Sequence, residues 1–285
     1  MGGPYICEMT PAGAAVGRLV VCPTPIGNLE DVTLRVLAAL READVVACED
    51  TRHTRILLER HAIRATLVSF HEHNERARVG ELVGRIRGGE VVALVSDAGT
   101  PLVSDPGFAL VRACLAEGLE VEVLPGPSAV LTALVASGLP AERWRFAGFL
   151  PRRRGELEAL LAQATETLVA FESPRRVAAT LRALAEREPE RPAAVCRELS
   201  KLHEEVRRGT ARELADYYRE RPPRGEVVLV LGAVAPGRPR REEAIAALRE
   251  VVGAGAKARP AAAAVAKLTG LAANELYREL MRGGQ

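Results

Sequence analysis

Along the first half of the chain, short and almost uninterrupted apolar runs alternate with turns rich in glycine, proline and small polar residues. Each such turn leads into positions with helical spacing. The runs are Leu19–Val21, Val45–Ala47, Thr66–Phe70, Val91–Val95 and Val121–Leu124. Strand, turn and helix, repeated in this order, predict an α/β unit from about Arg18 to Leu139. Four turns gather the glycines and polar residues: Pro23-Thr24-Pro25-Ile26-Gly27-Asn28, Glu49-Asp50-Thr51-Arg52, Ser96-Asp97-Ala98-Gly99-Thr100-Pro101 and Pro125-Gly126-Pro127-Ser128. In open α/β sheets ligands bind just beyond the carboxyl ends of the strands, where these loops converge. A small-molecule site is expected there.

A break falls at Gly138-Leu139-Pro140, and a second unit opens at Trp144–Phe149. Its further strands are predicted at Leu168–Phe171, Ala193–Cys196, Glu204–Arg208 and Glu226–Leu231, with helices at about 156–164, 174–187 and 210–220. The charged Glu204 run and the final strand fit a mixed sheet better than a parallel one. Pro236–Arg240 reads as a linker, and the Ala-rich remainder as a helical tail. Within it, Val265–Leu271 and Asn274–Tyr277 suggest two short helices joined through Thr269-Gly270, as in a helix-turn-helix. A small packing bundle or dimer edge fits the same pattern. The chain then divides into a loose leader at 1–17, α/β domains at 18–140 and 141–235, and a small helical tail at 236–285.

With 285 residues, 48% of them hydrophobic, the chain can bury one large or two medium cores. The longest uncharged stretch, Val123–Ala141, contains Pro125, Pro127 and Pro140, which makes it a strand, a turn and a buried helix and not a membrane span. No basic segment followed by an apolar one marks the start of the chain for secretion. The five cysteines (Cys7, Cys22, Cys48, Cys114 and Cys196) are scattered, several within apolar runs, and read as free thiols in a reducing cytoplasm.

A net charge of +2 conceals an asymmetry. Residues 1–150 carry 14 Arg against 18 Asp and Glu, a net of −4, whereas residues 151–285 carry 25 Lys and Arg against 19, a net of +6. Clusters at Arg152–Arg154, Arg175-Arg176, Arg207-Arg208 and Arg238–Arg241 fit an anionic partner or, equally, the solvated surface of an arginine-rich protein. Aromatic residues are 4% of the chain, too few for a base-stacking platform.

Several chemistries are absent from the sequence. Neither a GxGxxG after a strand nor a GxxxxGK[ST] occurs, and there is no GxSxG elbow. His71-Glu72-His73 is the one candidate metal cluster; on a strand its two imidazoles would share a face, but no third or fourth ligand is identifiable, and no metal is expected. The Asp97–Pro101 loop is readable: its small residues allow close backbone approach to a ligand, and Asp97 can accept from an ammonium or a ribose hydroxyl. Ser128 caps the following helix, faces the site, or both. Glu49–Arg52 reads either as an acidic helix start set against the dipole or as functional.

Taken in order, P-T-P-I-G-N-L-E-D, C-E-D-T-R-H-T, F-H-E-H-N-E, L-V-S-D-A-G-T-P-L-V-S-D-P-G and L-P-G-P-S-A resemble one known group. Gly148–Pro151, Phe171–Arg176, Arg197–Lys201 and Arg224–Leu229 extend the match, which covers about residues 18–232. The chain is similar to the 16S ribosomal RNA (cytidine-2′-O)-methyltransferase branch of the tetrapyrrole methylase-like superfamily.

The resemblance implies two α/β domains of the class III methyltransferase type, usually as a homodimer, with S-adenosylmethionine in the cleft between them. It implies methylation of a cytidine ribose in the decoding region of 16S ribosomal RNA within the 30S subunit. Carried over, the cofactor site comprises Pro23, Pro25, Gly27, Ser96, Asp97, Ala98, Gly99, Thr100, Pro101, Ser128, Ala129, Phe171 and Glu172. Methyl transfer from a sulfonium is an in-line displacement in which the protein mainly aligns the reactants, and a general base should assist a ribose hydroxyl. Glu49, Asp50, Asp97, His71 and His73 are candidates, with the Glu49-Asp50 loop expected to face the substrate; Asp50→Ala would then keep cofactor affinity and lose methyl transfer. Arg52, Arg152, Arg153, Arg154 and Lys201 are expected to meet RNA phosphates. A tetrapyrrole C-methyltransferase and a ribosome-assembly module with a decayed site are the alternatives. The intact loops at Ser96–Pro101 and Pro125–Ser128 weigh against decay.

Overall fold

The first sheet holds five parallel strands: β1 (Arg18–Cys22), β2 (Val45–Cys48), β3 (Leu67–Ser69), β4 (Val91–Val95) and β5 (Glu120–Val123), in the order β3-β2-β4-β1-β5. A computed structural model describes residues 17–234 and 241–282 of the chain. The expected leader, apart from Gly17, lies outside the described residues, as do Cys7 and the linker at Pro236–Arg240.

The inner strands β2 and β4 are apolar throughout because both faces are covered, whereas the edge strand β5 carries Glu120 and Glu122. From β1 the chain steps outward to β2 and β3, then back to β4 and β5. Crossovers of one hand therefore put the helices on opposite faces. On one face, α1 (Leu34–Glu42) and α2 (Thr51–Arg60) bury Leu37, Leu40, Leu57 and Leu58 against Val20, Cys22, Val46 and Ala93. On the other, α3 (Glu75–Arg87) and α4 (Phe108–Ala116) bury Leu82, Ile86 and Leu110 against Leu19, Val21, Ala47 and Leu94. Each fully buried leucine contributes about 2 kcal/mol. The reversal of direction places the loops after β1 and β4 side by side, the position where open α/β sheets bind ligands.

The Val123–Ala141 stretch forms the end of β5, a proline-rich turn and α5 (Ala129–Ser137). Among the described residues no helix is long and apolar enough to cross a membrane. Instead, α5 buries Val130, Ala133 and Leu134 against Val169, Ala194, Cys196 and Val228 of a second sheet. It ends at Gly138 in the left-handed region (φ 70), and Arg208 donates to its last free carbonyls, at Ala136 and Ser137.

The second sheet comprises β6 (Trp144–Phe149), β7 (Thr167–Glu172), β8 (Pro192–Arg197), β9 (Glu205–Thr210) and β10 (Val227–Leu231) in the order β6-β7-β10-β8-β9. Only β6 and β7 run parallel, so the sheet is mixed, as the charged run at Glu204 suggested. Helices α6 (Arg154–Ala162), α7 (Val177–Arg187) and α8 (Ala211–Glu220) cover its outer face. A reciprocal Thr210–Glu213 capping box starts α8.

The chain through Ala233 forms one compact unit, and Val234–Gln285 a second. The second unit contains α9 (Arg241–Gly253), α10 (Ala258–Thr269) and α11 (Ala273–Arg282), packed around Ala244, Leu248, Ala261, Ala262 and Leu276. The two helices expected around Thr269-Gly270 are present, with Gly270 (φ 68) ending α10, and α9 precedes them.

Candidate active site

The four loops predicted to carry the site are laced together. Thr24 and Gly99 exchange backbone hydrogen bonds (2.8 and 3.0 Å), and the Thr24 hydroxyl donates to the Ser96 carbonyl (2.9 Å). The Thr100 hydroxyl donates to the Pro127 carbonyl (3.1 Å), and the Asp50 amide donates to Asp97 Oδ1 (3.0 Å). A side chain at Gly126 would collide with Pro23, and Gly99 adopts φ +80, so both glycines are required by close approach or by backbone shape. Buried Thr24 and Ser96 are thereby satisfied. One expected ligand, Ser128, accepts from the Leu131 amide (3.4 Å) and caps α5.

Above these loops, between them and the second sheet, lies a cavity of about 410 Å³. Of the thirteen residues expected to hold a cofactor, Ala98, Ala129, Phe171 and Glu172 line it. Pro23, Pro25, Gly27, Ser96, Asp97, Gly99, Thr100, Pro101 and Ser128 belong to the loop lattice around it. Gly27 has a further role, since a Cβ there would strike Leu199 and Lys201, and nearby the Ser200 hydroxyl donates to Asp31 (2.6 Å). The two sheets are thus joined at the cavity edge through backbone contact.

The second sheet supplies aromatic and acidic lining. Phe149, two-thirds exposed, and Phe171 have ring centroids 5.4 Å apart, with Phe146 behind at 5.1 Å from Phe171. Buried Glu172 accepts from the Thr180 hydroxyl (2.6 Å) and the Ser173 amide (2.8 Å), with Arg176 at 3.4 Å. Its oxygens are therefore committed to β7 and α7. Lys201 bridges Glu198 and Glu226 at 3.0 Å each, and the Glu226 amide together with Lys201 holds the Glu198 carboxyl below its ordinary range. Gly225 (φ +81) leaves room for the Glu198 side chain, which a Cβ would strike. Burial pushes the Cys196 thiol up to about 11, so it lines the cavity as a neutral, unreactive group.

The first sheet supplies acids of a different kind. Asp50 caps α2, and Arg52 grips its carboxylate through Nε (3.1 Å) and Nη2 (2.7 Å), holding it well below the usual carboxylate range. Burial raises Glu49, with Asp97 adding to the rise and His71 opposing it. Asp105, in the same loop as Asp97, lines the cavity and is pushed up to about 7 by burial, then by the charges of Glu49 and Asp97. Sequence reasoning missed Asp105, Phe149, Glu198 and Glu226, although all four fall within the quoted motifs. The available signal for Asp105 was the repeated Ser-Asp in Ser96-Asp97…Ser104-Asp105.

His71 and His73 sit in a turn before α3 and not on a strand, with ring centroids 5.9 Å apart. Among the described residues no group of three or more potential ligands is placed to hold a metal ion. Four of the five cations expected to meet RNA fall into separate networks. Arg52 binds Asp50, Arg153 binds Glu156 (3.1 Å), Arg154 binds Glu158 (2.6 Å) and Glu186 (2.8 Å), and Lys201 binds the two cavity carboxylates. Arg152 and Arg154 border a small hollow of about 150 Å³ together with Arg176 and Arg182.

A family model for the tetrapyrrole (corrin/porphyrin) methylases matches residues 18–215. The chain is 47% identical to the ribosomal RNA small subunit methyltransferase I of Mesorhizobium japonicum, over 95% of this chain and 94% of that one. It is 43% identical to the protein of the same name from Pseudomonas aeruginosa, over 94% of this chain and 98% of the relative. Among solved structures, uroporphyrin-III-C-methyltransferase from Thermus thermophilus matches with a TM-score of 0.57 and 27% identity, over 76% of this chain and 94% of that one. The two sheets are those of a methylase of the tetrapyrrole type. Within that class, the chain belongs to the ribosomal RNA small subunit methyltransferase I family.

Proposed function

We propose that this chain transfers a methyl group from S-adenosylmethionine to the 2′-hydroxyl of a cytidine in the decoding region of 16S ribosomal RNA, as a cytoplasmic homodimer. The observation that carries the reading is the cavity lining. It holds four carboxylates, Asp105 without an ion pair among the described residues and Glu172, Glu198 and Glu226 sharing the two cations Arg176 and Lys201, so the acids outnumber their cations, and no basic side chain is among its described lining residues. That field suits a ligand bearing positive charge, and the exposed face of Phe149 beside Phe171 suits a flat heterocycle. When bound, S-adenosylmethionine supplies a methyl group on a positively charged sulfur that leaves as a neutral thioether.

Ala98 and Ala129 bring backbone close to that ligand, while Phe149 and Phe171 offer it a stacking edge. The laced loops hold these positions before the ligand arrives, so alignment costs little at the moment of reaction. RNA phosphates have arginines at hand in the hollow bordered by Arg152, Arg154, Arg176 and Arg182. Support for a dimer comes from α4 and α5, which leave Phe108, Leu115, Leu131 and Val135 exposed. A polyanionic tetrapyrrole acceptor fits an acidic, cation-free lining poorly, and the ribosomal relatives are the more similar ones by sequence.

The test incubates the protein with tritiated S-adenosylmethionine and undermethylated 30S subunits, then maps label by nuclease digestion and mass spectrometry. Label on a single cytidine ribose is expected. Label appearing only on an added uroporphyrinogen would overturn the reading.

A further inference from the structure

We infer that Asp105 is the general base of the methyl transfer, taking the proton of the attacking 2′-hydroxyl from the end of a strained, pinned loop at the cavity wall. The inference rests on the reading above and assigns a role in that same site. In the step, the ribose oxygen bonds to the methyl carbon as the carbon–sulfur bond breaks with its electron pair going to sulfur. The hydroxyl proton passes to the Asp105 carboxylate and from there to water.

Three observations single this carboxylate out. Asp105 is the one acid lining the cavity that makes no ion pair among the described residues, since Glu172 is tied to Arg176, and Glu198 and Glu226 to Lys201. Asp50 is neutralised by Arg52, and Asp97 already accepts from the Asp50 amide.

Next, its loop is fixed at both ends. Thr100 is hydrogen-bonded to Pro127, while Glu75 accepts from the Gly107 and Ala109 amides (3.0 and 3.2 Å). Between these pins, Leu102 (φ 72) and Ser104 (φ 71) stand in the left-handed region, and a Cβ on Gly107 would strike Leu94 and Leu102. Such strain persists only where the surroundings over-determine the conformation, and it is common at functional sites.

Finally, the groups facing Asp105 favour holding a proton near neutrality. Burial raises it most, Glu49 after β2 and Asp97 after β4 add to the rise, the Ser96 side chain opposes it, and His71 opposes the rise of Glu49. The acids on the opposite wall are the cation-paired Glu172, Glu198 and Glu226. A base poised near the working pH gives the best compromise between availability and strength.

The test compares the full-length wild type, Asp105→Asn and Asp105→Glu. Saturating kcat on 30S subunits should fall roughly 10²–10⁴-fold in Asp105→Asn, which should also lack the rise of kcat/KM with pH expected of the wild type, and should return in part in Asp105→Glu. S-adenosylhomocysteine affinity by calorimetry should stay within about threefold of wild type, which also reports folding. In the free protein labelled with ¹³C-aspartate, the Asp105 carboxyl should titrate near 7. Unchanged kcat in Asp105→Asn, a tenfold loss of affinity with kcat kept, or a carboxyl titrating near 4 would each overturn the assignment. A wild type that places no methyl on cytidine would overturn the proposed reaction itself.

Discussion

Carboxylates gather on both sides of the cavity, with Asp105 alone lining it on the side of the first sheet, but their partners differ. On the second sheet, Glu172, Glu198 and Glu226 are each held by Arg176 or Lys201. On the first sheet, Glu49, Asp97 and Asp105 make no ion pair among the described residues, and two of them are raised above their ordinary range. The charge of one wall is spent on holding that wall together. The other leaves Asp105 without a cation, and its loops are held by backbone and hydroxyl hydrogen bonds together with the carboxylates of Glu75 and Asp97 on backbone amides. The same residue type thus serves structure on one side and chemistry on the other, according to what faces it.

The largest effect should come from breaking the structural wall. Glu172→Ala leaves Arg176 and Thr180 without their carboxylate in a buried setting, and about 3–5 kcal/mol of stability should be lost in urea titration. An unchanged midpoint would mean that Glu172 is not part of the wall's framework. Gly27→Val tests the join between walls: its side chain would strike Leu199 and Lys201, and a loss of about 1–3 kcal/mol is expected, together with weaker S-adenosylhomocysteine binding.

The chemical wall should respond in the opposite sense. Asp105 is raised in the folded protein, so stability is full below its unfolded value and declines as pH climbs towards 7. Asp105→Asn should therefore stabilise the fold by about 1–2 kcal/mol at pH 8, after allowance for solvent screening, and by nothing below about pH 4. Thermal unfolding at the two pH values measures this directly, and equal shifts at both would remove the burial argument. The smallest effect belongs to Asp50→Ala, which deletes the α2 cap and should cost about 1 kcal/mol with cofactor affinity kept.

All ten strands were legible, because each run is bounded by turn residues, and the charged Glu204–Arg208 run pointed to a mixed sheet; the structure makes it β9, at the end of that sheet. The α/β units and the helical tail followed from the same pattern, and the methylase type from the resemblance that the motifs carry. The four site loops were equally legible, since glycine and proline at strand ends have few other uses. What those loop residues do was less so. Ser96, Thr100 and Ser128 look like ligands in sequence, yet their oxygens are hydrogen-bonded within the lattice, and only the fold shows which carbonyl or amide each one faces.

Asp105 and Phe149 were missed for the converse reason. Their role depends on segments far apart in sequence meeting across one cavity, and the repeated Ser-Asp is the single local mark, for Asp105 alone. Lys201 and Arg52 looked like phosphate ligands until the positions of Glu198, Glu226 and Asp50 showed where their charge goes.

The most direct test of the central claim, that the cavity between the sheets is where the methyl donor binds, is a crystal structure grown with S-adenosylhomocysteine. The account predicts density inside the cavity, in contact with Ala98, Ala129 and Phe171 and with the sulfur open towards Asp105. Density at the arginine hollow beside α7, with the cavity empty, would contradict it.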